Sequence, residues 1–165
     1  MHQKTDLTLG IDIGTSSIKV ALVEKATRSI LCANSRNHNA SFQSEIGPVG
    51  NEQDVSKILI ALQMCVSGIS KDILVRVRSI AVSGQMHGAV FWKRTEAWIR
   101  NDCGRFEASN VSQLFTWQDS RCDEDFIADL PKADSHQKIA SGMGVATIFW
   151  LQKNNPEILE KYVVY

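Results

Sequence analysis

Two stretches near the start of the chain alternate apolar and polar residues with a period of two. In residues 8–13, leucine and isoleucine alternate with threonine, glycine and Asp12, a pattern typical of a strand with one buried face. Asp12 is therefore predicted on the face opposite the isoleucines. The alternation resumes over residues 18–23 after a run of small residues, which predicts a second strand joined by a tight turn. Residues 29–35 predict a third strand.

A helix is predicted in the middle of the chain. Residues 40–50 contain Gly47, Pro48 and Gly50 among polar residues and are expected to form a loop. Asn51 is expected to cap the following helix, and Gly68 to lie near its end. One face of the helix carries apolar residues at helical spacing: Val55, Ile58, Leu59, Leu62, Val66 and Ile69.

The second half of the chain mixes both kinds of element. Residues 75–83 predict a strand that enters the interior, and residues 89–92 its hairpin partner. Residues 94–110 are expected to be an irregular surface insertion. Helices are predicted over residues 119–130 and 145–154, and Pro156 opens a last helical turn ending near Tyr162. This order of elements predicts one domain, residues 1–165, of mixed α/β class.

Composition and charge exclude several classes of partner. The 165 residues contain 18 Lys and Arg against 18 Asp and Glu, so no net field favours nucleic acid or an anionic membrane. No apolar run approaches the roughly 18 residues of a membrane span. The four cysteines show no metal-binding spacing and are expected to be free thiols. These features favour a cytoplasmic protein and assign no oligomeric state.

The turn after the first strand carries groups suited to phosphate. Gly14 allows a close backbone approach and is expected to adopt a positive φ, and Thr15, Ser16 and Ser17 offer hydroxyls and amides. Asp12 offers a carboxylate for magnesium, and Lys19 a positive charge. The turn is not a Walker A loop, because Gly-Lys-Ser/Thr is absent. The alternative is a plain β-hairpin whose Asp12 is merely solvated.

Two further segments are suited to a polyhydroxylated ligand. Gly84-Gln85-Met86-His87-Gly88 places an amide, a thioether and an imidazole at a strand end, where the alternative is a turn with a core histidine. Residues 116–121 bring an indole, a carboxylate and a guanidinium together. The alternative for this segment is an ion pair of Asp119 with Arg121 beside a core Trp117.

The turn at Asp12 resembles that of the actin, heat-shock and hexokinase superfamily, which implies a ribonuclease H-like mixed sheet with helices packed on it. Together the three segments resemble the FGGY family of carbohydrate kinases. The resemblance covers only the first domain of these kinases, and that domain is expected to be incomplete in this chain. The resemblance spans nearly the whole chain except residues 94–110 and the extreme tail. The stretches that carry it are residues 9–19, 52–56, 82–92, 116–122 and 146–151.

The resemblance implies ATP and Mg2+ as cofactors and a ketose as substrate. Asp12 would hold magnesium through water, and the ATP phosphates would meet Gly14, Thr15, Ser16, Ser17 and Lys19. The sugar site would be shaped by Gln85, Met86, His87, Trp117, Asp119 and Arg121. The pair Met86-His87 differs from the Arg-Glu of glycerol kinases, which favours a ketose.

The resemblance also implies parts that these residues do not supply. The catalytic base and the nucleotide-closing second domain would lie beyond Tyr165, so this chain alone is expected not to turn over sugar. Exposed apolar surface is expected to favour association. Three alternatives stay open: a kinase of another ketose such as xylulose, a non-catalytic module that binds sugar or phosphate, and an actin-like or heat-shock-like ATPase fragment. The sugar-facing segments argue against the ATPase fragment.

Overall fold

The computed structural model describes residues 6–132, 134 and 136–162, which form two compact units. The first unit comprises the chain up to Asn39 together with Lys57–Gln85, and the second comprises Ala40–Ser56 and the chain from Met86 onward. The strands are β1 (Leu7–Ile13), β2 (Ser17–Glu24), β3 (Ile30–Asn37), β4 (Ser41–Phe42), β5 (Glu52–Gln53), β6 (Val77–Gly84), β7 (Trp98–Arg100), β8 (Phe106–Ala108) and β9 (Leu114–Phe115). The helices are α1 (Val55–Ser67), α2 (Lys71–Leu74), α3 (Glu124–Asp129), α4 (Gly144–Asn154) and α5 (Pro156–Tyr162).

The first unit is built on a four-stranded mixed sheet in the order β3-β2-β1-β6. Short turns join β1, β2 and β3, so these strands run antiparallel, whereas β6 returns parallel to β1 after α1 and α2. This arrangement confirms the predicted α/β class and the ribonuclease H-like mixed sheet. The three strands predicted at the start of the chain are all present.

The two faces of this sheet differ in burial. Leu9, Val20 and Leu22 lie on the buried face, and α1 covers that face with Ile58, Ala61 and Cys65. Asn34 Nδ2 donates to the Cys65 carbonyl at 2.9 Å and so ties α1 to β3. Asp12 pairs with Lys19 on the opposite face, as the alternation predicted.

Helix α1 begins later than its predicted cap. The Asp54 carboxylate accepts a hydrogen bond from the Ser56 amide at 2.8 Å and caps the first turn. Asn51 was the predicted cap, and that prediction is wrong: Asn51 Oδ1 accepts instead from Thr116 Oγ1 at 2.6 Å. The helix ends at Ser67, one residue before Gly68, as predicted.

The described residues of the second unit form short strands, a 3-10 turn at Gly47–Val49 and the helices α3, α4 and α5. Strands β4, β5 and β9 form one small sheet, and β7 and β8 form a hairpin. Its apolar core is centred on Cys122, Leu130 and Ala146, and is completed by the partly buried Phe126, Ile127, Ile139, Phe149 and Trp150. No helix in the described part of the chain is long and apolar enough to cross a membrane.

Three sequence predictions in the second unit are wrong. Residues 89–92 do not pair with β6, because Ala89 bridges Phe115 and Trp92 bridges Val111. Residues 94–110 are not irregular, since they contain the β7–β8 hairpin. Helix α3 starts only at Glu124, after the Asp123 carboxylate accepts from the Phe126 amide, so residues 119–122 precede the helix.

Candidate functional site

The turn between β1 and β2 is tight and needs a glycine at its first position. The Gly14 amide donates to the Ser17 carbonyl at 3.0 Å. A methyl group on Gly14 would lie 3.0 Å from that same oxygen, closer than most real contacts allow. The expected positive φ at Gly14 is wrong, because Gly14 is not among the positive-φ glycines. The close approach of the Ser17 carbonyl oxygen, and not the backbone conformation, therefore explains why glycine occupies position 14.

His38 supports this turn from β3's end and was not predicted as a functional residue. Its amide donates to the Ser16 carbonyl at 3.2 Å, and its Nε2 lies 3.3 Å from the Gly14 carbonyl oxygen. Because a carbonyl only accepts, Nε2 carries a proton in this contact. The buried His38 thus holds the backbone of the turn on both sides of Thr15, while the Ser16 side chain stays exposed.

Asp12 and Lys19 project from the open face of the sheet beside the turn. Lys19 Nζ lies 3.7 Å from Asp12 Oδ2, and Ser83 Oγ donates to Asp12 Oδ1 at 3.2 Å. Both charged side chains remain largely exposed, and they line an open cavity of about 520 Å³ on this face. A methyl group added to Gly14 would lie 4.0 Å from Asp12 Oδ2, so the Asp12 carboxylate is next to the turn.

The residues at this turn fit a magnesium ion held mainly by water and phosphate. Across residues 6–132, 134 and 136–162 there is no group of three or more His, Cys, Asp or Glu side chains that forms a metal cage. Mg2+ keeps several waters and binds proteins through one or two carboxylates plus substrate phosphates. The exposed Asp12 carboxylate is chemically suited to be one such ligand.

Strand β6 ends beside the same turn. A side chain on Gly84 would lie 2.7 Å from the Ile13 carbonyl oxygen, so the glycine allows the end of β6 to approach β1. The Gln85 amide donates to that carbonyl at 2.9 Å. Gln85 therefore follows directly from the strand that adjoins Asp12, within the first unit.

The next residues belong to the second unit. Met86 is 72% exposed, and His87 is also exposed. His87 has φ +62, a left-handed conformation that non-glycine residues rarely adopt and that clusters at ligand-binding positions. The alternative of a core histidine at this position is therefore wrong.

The side chains of residues 116–121 divide into a buried set and an exposed set. Trp117 is 48% exposed, and Gln118 and Ser120 are exposed as well. Thr116, Asp119 and Arg121 are buried. The alternative prediction of an ion pair between Asp119 and Arg121 is correct, but the accompanying prediction of a core Trp117 is wrong.

Asp119 and Arg121 form a buried charged network with Glu52. Arg121 Nε donates to Asp119 Oδ1 at 2.7 Å, and Arg121 Nη2 donates to Asp119 Oδ2 and Glu52 Oε1, both at 2.8 Å. The Asn51 amide also donates to Asp119 Oδ2 at 2.8 Å. The network thus ties the loop before β5 to the segment that carries Trp117.

Aromatic rings enclose the Arg121 guanidinium. Its central carbon lies 4.6 Å from the centre of the Phe115 ring and 5.2 Å from that of Trp150. Burial lowers the pKa of Arg121, but the hydrogen bonds and charges of Asp119 and Glu52 outweigh burial and raise this pKa above its usual value. Arg121 therefore stays charged and anchored.

Sequence reasoning missed the residues that support the site. Glu52 and Arg121 are 69 positions apart, and Asn51 and Thr116 are 65 apart, so no local spacing signals either pair. Glu52 lies in one of the stretches that carry the family resemblance, which was the only available signal. His38 gave no signal, since its role depends on the register between β2 and β3.

The profile of the FGGY family of carbohydrate kinases, N-terminal domain, matches residues 7–165. This chain therefore belongs to the FGGY family of carbohydrate kinases. Among curated relatives, it is 47% identical to mouse sedoheptulokinase and 46% identical to human sedoheptulokinase, over 94% of this chain and 35% of each relative. Xylulose kinase of Bacillus subtilis is 27% identical over 95% of this chain and 30% of the relative.

Solved structures share the fold at lower identity. A xyloylose kinase from Brucella ovis matches with a TM-score of 0.69 and 22% identity, over 94% of this chain and 30% of that one. Plasmodium falciparum glycerol kinase with ADP matches with a TM-score of 0.65 and 23% identity, over 95% and 30%. The chain spans about a third of the length of its relatives.

Proposed function

We propose that the complete protein carrying this chain is an ATP-dependent ketose kinase that phosphorylates sedoheptulose to sedoheptulose 7-phosphate. The observation that carries the proposal is the 46–47% identity to two sedoheptulokinases, against 27% to the Bacillus subtilis xylulose kinase. The chain covers 35% of the sedoheptulokinases, so the activity is proposed for the complete protein. A 7-phosphate product would enter the pentose phosphate pathway.

In the proposed reaction, the terminal hydroxyl oxygen of the ketose bonds to the γ-phosphorus of ATP as the bond to the ADP oxygen breaks. Such a transfer depends on positioning and charge stabilisation more than on covalent chemistry. Bound Mg2+ supplies neutralisation of phosphate charge. The hydroxyl proton passes to a general base, which we place beyond Tyr165.

The nucleotide side of the proposed site is the β1–β2 turn. Gly14 lets the ATP phosphates approach the backbone of the turn, Thr15, Ser16 and Ser17 present hydroxyls to them, and Lys19 adds positive charge. Asp12 would hold Mg2+ through water. The exposed Asp12 carboxylate beside the closely packed Gly14 supports this assignment. His38 keeps the turn in shape from the buried side.

The sugar side of the proposed site comprises Gln85, Met86, His87 and Trp117. An indole face packs on the C–H surface of a sugar while polar groups bond its hydroxyls. Asp119 and Arg121 shape this site from below, because their polar atoms are engaged with Glu52, Asn51 and each other. The exposure of Trp117 and His87 beside buried supports favours this division.

We also propose that the protein acts in the cytoplasm. All four cysteines are free, from the exposed Cys103 to the buried Cys65 and Cys122. Free thiols are the usual state in a reducing compartment. Localisation of the tagged complete protein by microscopy tests this proposal, and a signal confined to a secretory compartment would contradict it.

The function is tested with the complete purified protein, ATP-Mg and a panel of sedoheptulose, xylulose and glycerol. We expect ADP release with sedoheptulose, and phosphorus NMR of the product should place the phosphate at carbon 7. A higher kcat/KM for xylulose would reassign the enzyme to xylulose. Absence of ADP release with every ketose would remove the sugar-kinase proposal.

Asp12→Asn provides the matched test of the nucleotide side. Removing the carboxylate charge should lower kcat by roughly 100-fold or more, as expected when one electrostatic contact to the transferring group is lost. Asp6→Asn is the control, because Asp6 forms an exposed ion pair with Arg78 at 3.6 Å in the same unit. Equal activity in the two variants would remove Asp12 from the proposed site.

A further inference from the structure

Two glycines at the start of α4 contact the backbones of both sugar-side segments. Gly142 is buried and has φ +81, and a methyl group on it would overlap the Trp117 carbonyl oxygen. A methyl group on Gly144 would lie 3.2 Å from the His87 carbonyl oxygen and 3.6 Å from that of Gly88. Residues 142–144, called here the glycine segment, thus lie against Trp117 at one end and His87 at the other.

A second connection places the same two residues in corresponding positions. Ala89 and Phe115 exchange backbone hydrogen bonds of 2.9 Å in both directions as an antiparallel bridge. In an antiparallel pair, the residue two before Ala89 corresponds to the residue two after Phe115. Those residues are His87 and Trp117. The bridge joins the two segments two residues away from each of them, and the glycine segment contacts both of their carbonyl groups.

The glycine segment is itself firmly held. Ser141 Oγ donates to the Asp119 carbonyl at 3.3 Å, directly before Gly142. The Met143 carbonyl accepts from the Thr147 amide at 3.1 Å, so the segment continues into α4. Ala146 and Thr147 are buried in the unit. A change at either glycine is therefore transmitted to the segments it touches rather than absorbed by local movement.

We propose that the glycine segment is a positioning element that fixes the His87 turn relative to Trp117, and that ketose affinity depends on this spacing. The dependence of ketose affinity on this spacing rests on the proposed function. The positioning of the His87 turn relative to Trp117 concerns backbone placement alone. The glycines contact neither sugar nor ATP in this proposal. They act through His87 and Trp117, so their substitution changes KM for the ketose while leaving KM for ATP unchanged.

The decisive variant is Gly144→Ala in the complete protein. Alanine favours a helix more than glycine does, so this change does not weaken α4 itself. The added methyl group would contact the His87 carbonyl oxygen at 3.2 Å. A displacement that passes through the glycine segment is then detected at Trp117, which lies against its other end. With 5-fluorotryptophan incorporated, the fluorine NMR signal of Trp117, assigned through Trp117→Phe, should shift. KM for sedoheptulose should rise roughly 10- to 100-fold, as small misplacements of binding groups do.

Gly47→Ala is the matched control for Gly142→Ala. Gly47 has φ +75, close to that of Gly142, but no atom lies within 4 Å of its added methyl group. It therefore carries the same backbone strain without contact to either segment. We expect it to leave the Trp117 signal and both KM values as in the unmodified protein. If Gly142→Ala does not fold, Gly144→Ala decides alone.

The outcomes test the positioning role of the glycine segment and the dependence of ketose affinity on it separately. An unmoved Trp117 signal in Gly144→Ala, or an equal shift in Gly47→Ala, overturns the positioning role. A moved signal with an unchanged KM for sedoheptulose overturns the dependence of affinity on spacing. If the unmodified protein phosphorylates no ketose, the proposed function fails, and the fluorine signal still decides whether the segment couples His87 to Trp117.

Discussion

The Asp119 carboxylate accepts four hydrogen bonds, from the amides of Asn51 and Arg121 and from Nε and Nη2 of Arg121. Every donor points at an oxygen, so the site has no place for an amide group. A buried charge that loses its partner costs far more than an exposed one, because neither water nor another group replaces the contact. At this position, the side chain type is therefore fixed by its neighbours.

Asp119→Asn should lower the free energy of unfolding by about 3–5 kcal/mol, since the new NH2 group faces donors and Arg121 loses its counter-charge. Urea unfolding followed by circular dichroism measures this change. Asp123→Asn is the control: Asp123 caps α3, and asparagine caps helices about as well as aspartate. Similar midpoints for the two variants would show that the buried network contributes little.

Cys122 provides a test by pH. Burial raises the pKa of its thiol from 9.0 to about 11, with a smaller contribution from the Asp119 charge. The stability gained by keeping the thiol neutral is complete below pH 9.0 and is lost as the pH rises towards about 11. Cys122→Ala should therefore show a shallower decline in the free energy of unfolding over this range, measured by urea titration at several pH values.

Native alkylation gives the companion measurement. At pH 8, iodoacetamide should label the exposed Cys103 before the buried Cys122, because only a thiolate reacts. Mass spectrometry of the labelled peptides reports the order. Labelling of Cys122 as fast as Cys103 would contradict both its burial and its raised pKa.

At the scale of elements, α1 packs on the sheet through one apolar face, as the spacing of its apolar residues predicted. Its apolar residues face the sheet through Ile58, Ala61 and Cys65, and the Cys65 thiol lies 3.8 Å from the Ile18 carbonyl oxygen. The same helix carries Ile60 on its exposed side. Identical side chains on one helix thus have very different surroundings.

Ile58→Ala should cost about 2–5 kcal/mol of unfolding free energy, because it removes buried methyl groups and leaves a cavity. Ile60→Ala, at a position 52% exposed against 6% for Ile58, should cost less than about 1 kcal/mol. Urea unfolding of both variants measures the difference. Comparable costs would mean that α1 does not pack on the sheet through this face.

Local sequence signals predicted strands β1 to β3 and β6 and helices α1, α4 and α5. They failed where partners far along the chain decide the structure. The two-residue strands β4, β5 and β9 exist only through their mutual pairing. The β7–β8 hairpin is a local pairing that was also missed, and its Trp98 and Phe106 ring centres lie 5.1 Å apart. Residues 119–122 are held by the charged network instead of a helix.

Part of the candidate site could likewise be predicted from local sequence, and the rest depends on residues far along the chain. The face that Asp12 occupies followed from strand alternation, since a period of two fixes which face each side chain occupies, whereas alternation did not fix where the Lys19 amine points. The burial of Asp119 and Arg121 did not follow from local sequence, because it depends on Glu52 and Asn51. The closeness of His87 and Trp117 to the glycine segment likewise depends on contacts across more than 20 residues.

At the scale of the whole molecule, the first unit presents β6 at one end of its described sheet. This strand was predicted to enter the interior, and that part of the prediction is wrong: Ile80 and Val82 on it are mostly exposed, although they are apolar. A strand edge with exposed apolar side chains is a template for pairing with another chain. The isolated 165-residue polypeptide is therefore expected to associate as its concentration rises.

Ile80→Lys should reduce this association, since a lysine on an edge strand disfavours pairing. Light scattering after size-exclusion chromatography of the 165-residue polypeptide measures it over a range of concentrations. Val75→Lys is the control, because Val75 is also exposed but lies outside β6. A monomer of unmodified sequence at all concentrations, with a sharp cooperative thermal transition, would contradict the expectation.

The division of residues 116–121 into a buried set and an exposed set also bears on how the protein can change. Positions 117, 118 and 120 face outward, while Thr116, Asp119 and Arg121 maintain the shape of the loop. Ser120 is the exception among the outward positions, because its Oγ donates to the Val49 carbonyl at 3.1 Å and so helps to hold the loop. If the proposed sugar site is correct, a designer seeking an altered ligand would randomise positions 117 and 118 and keep Ser120 and the inward set constant.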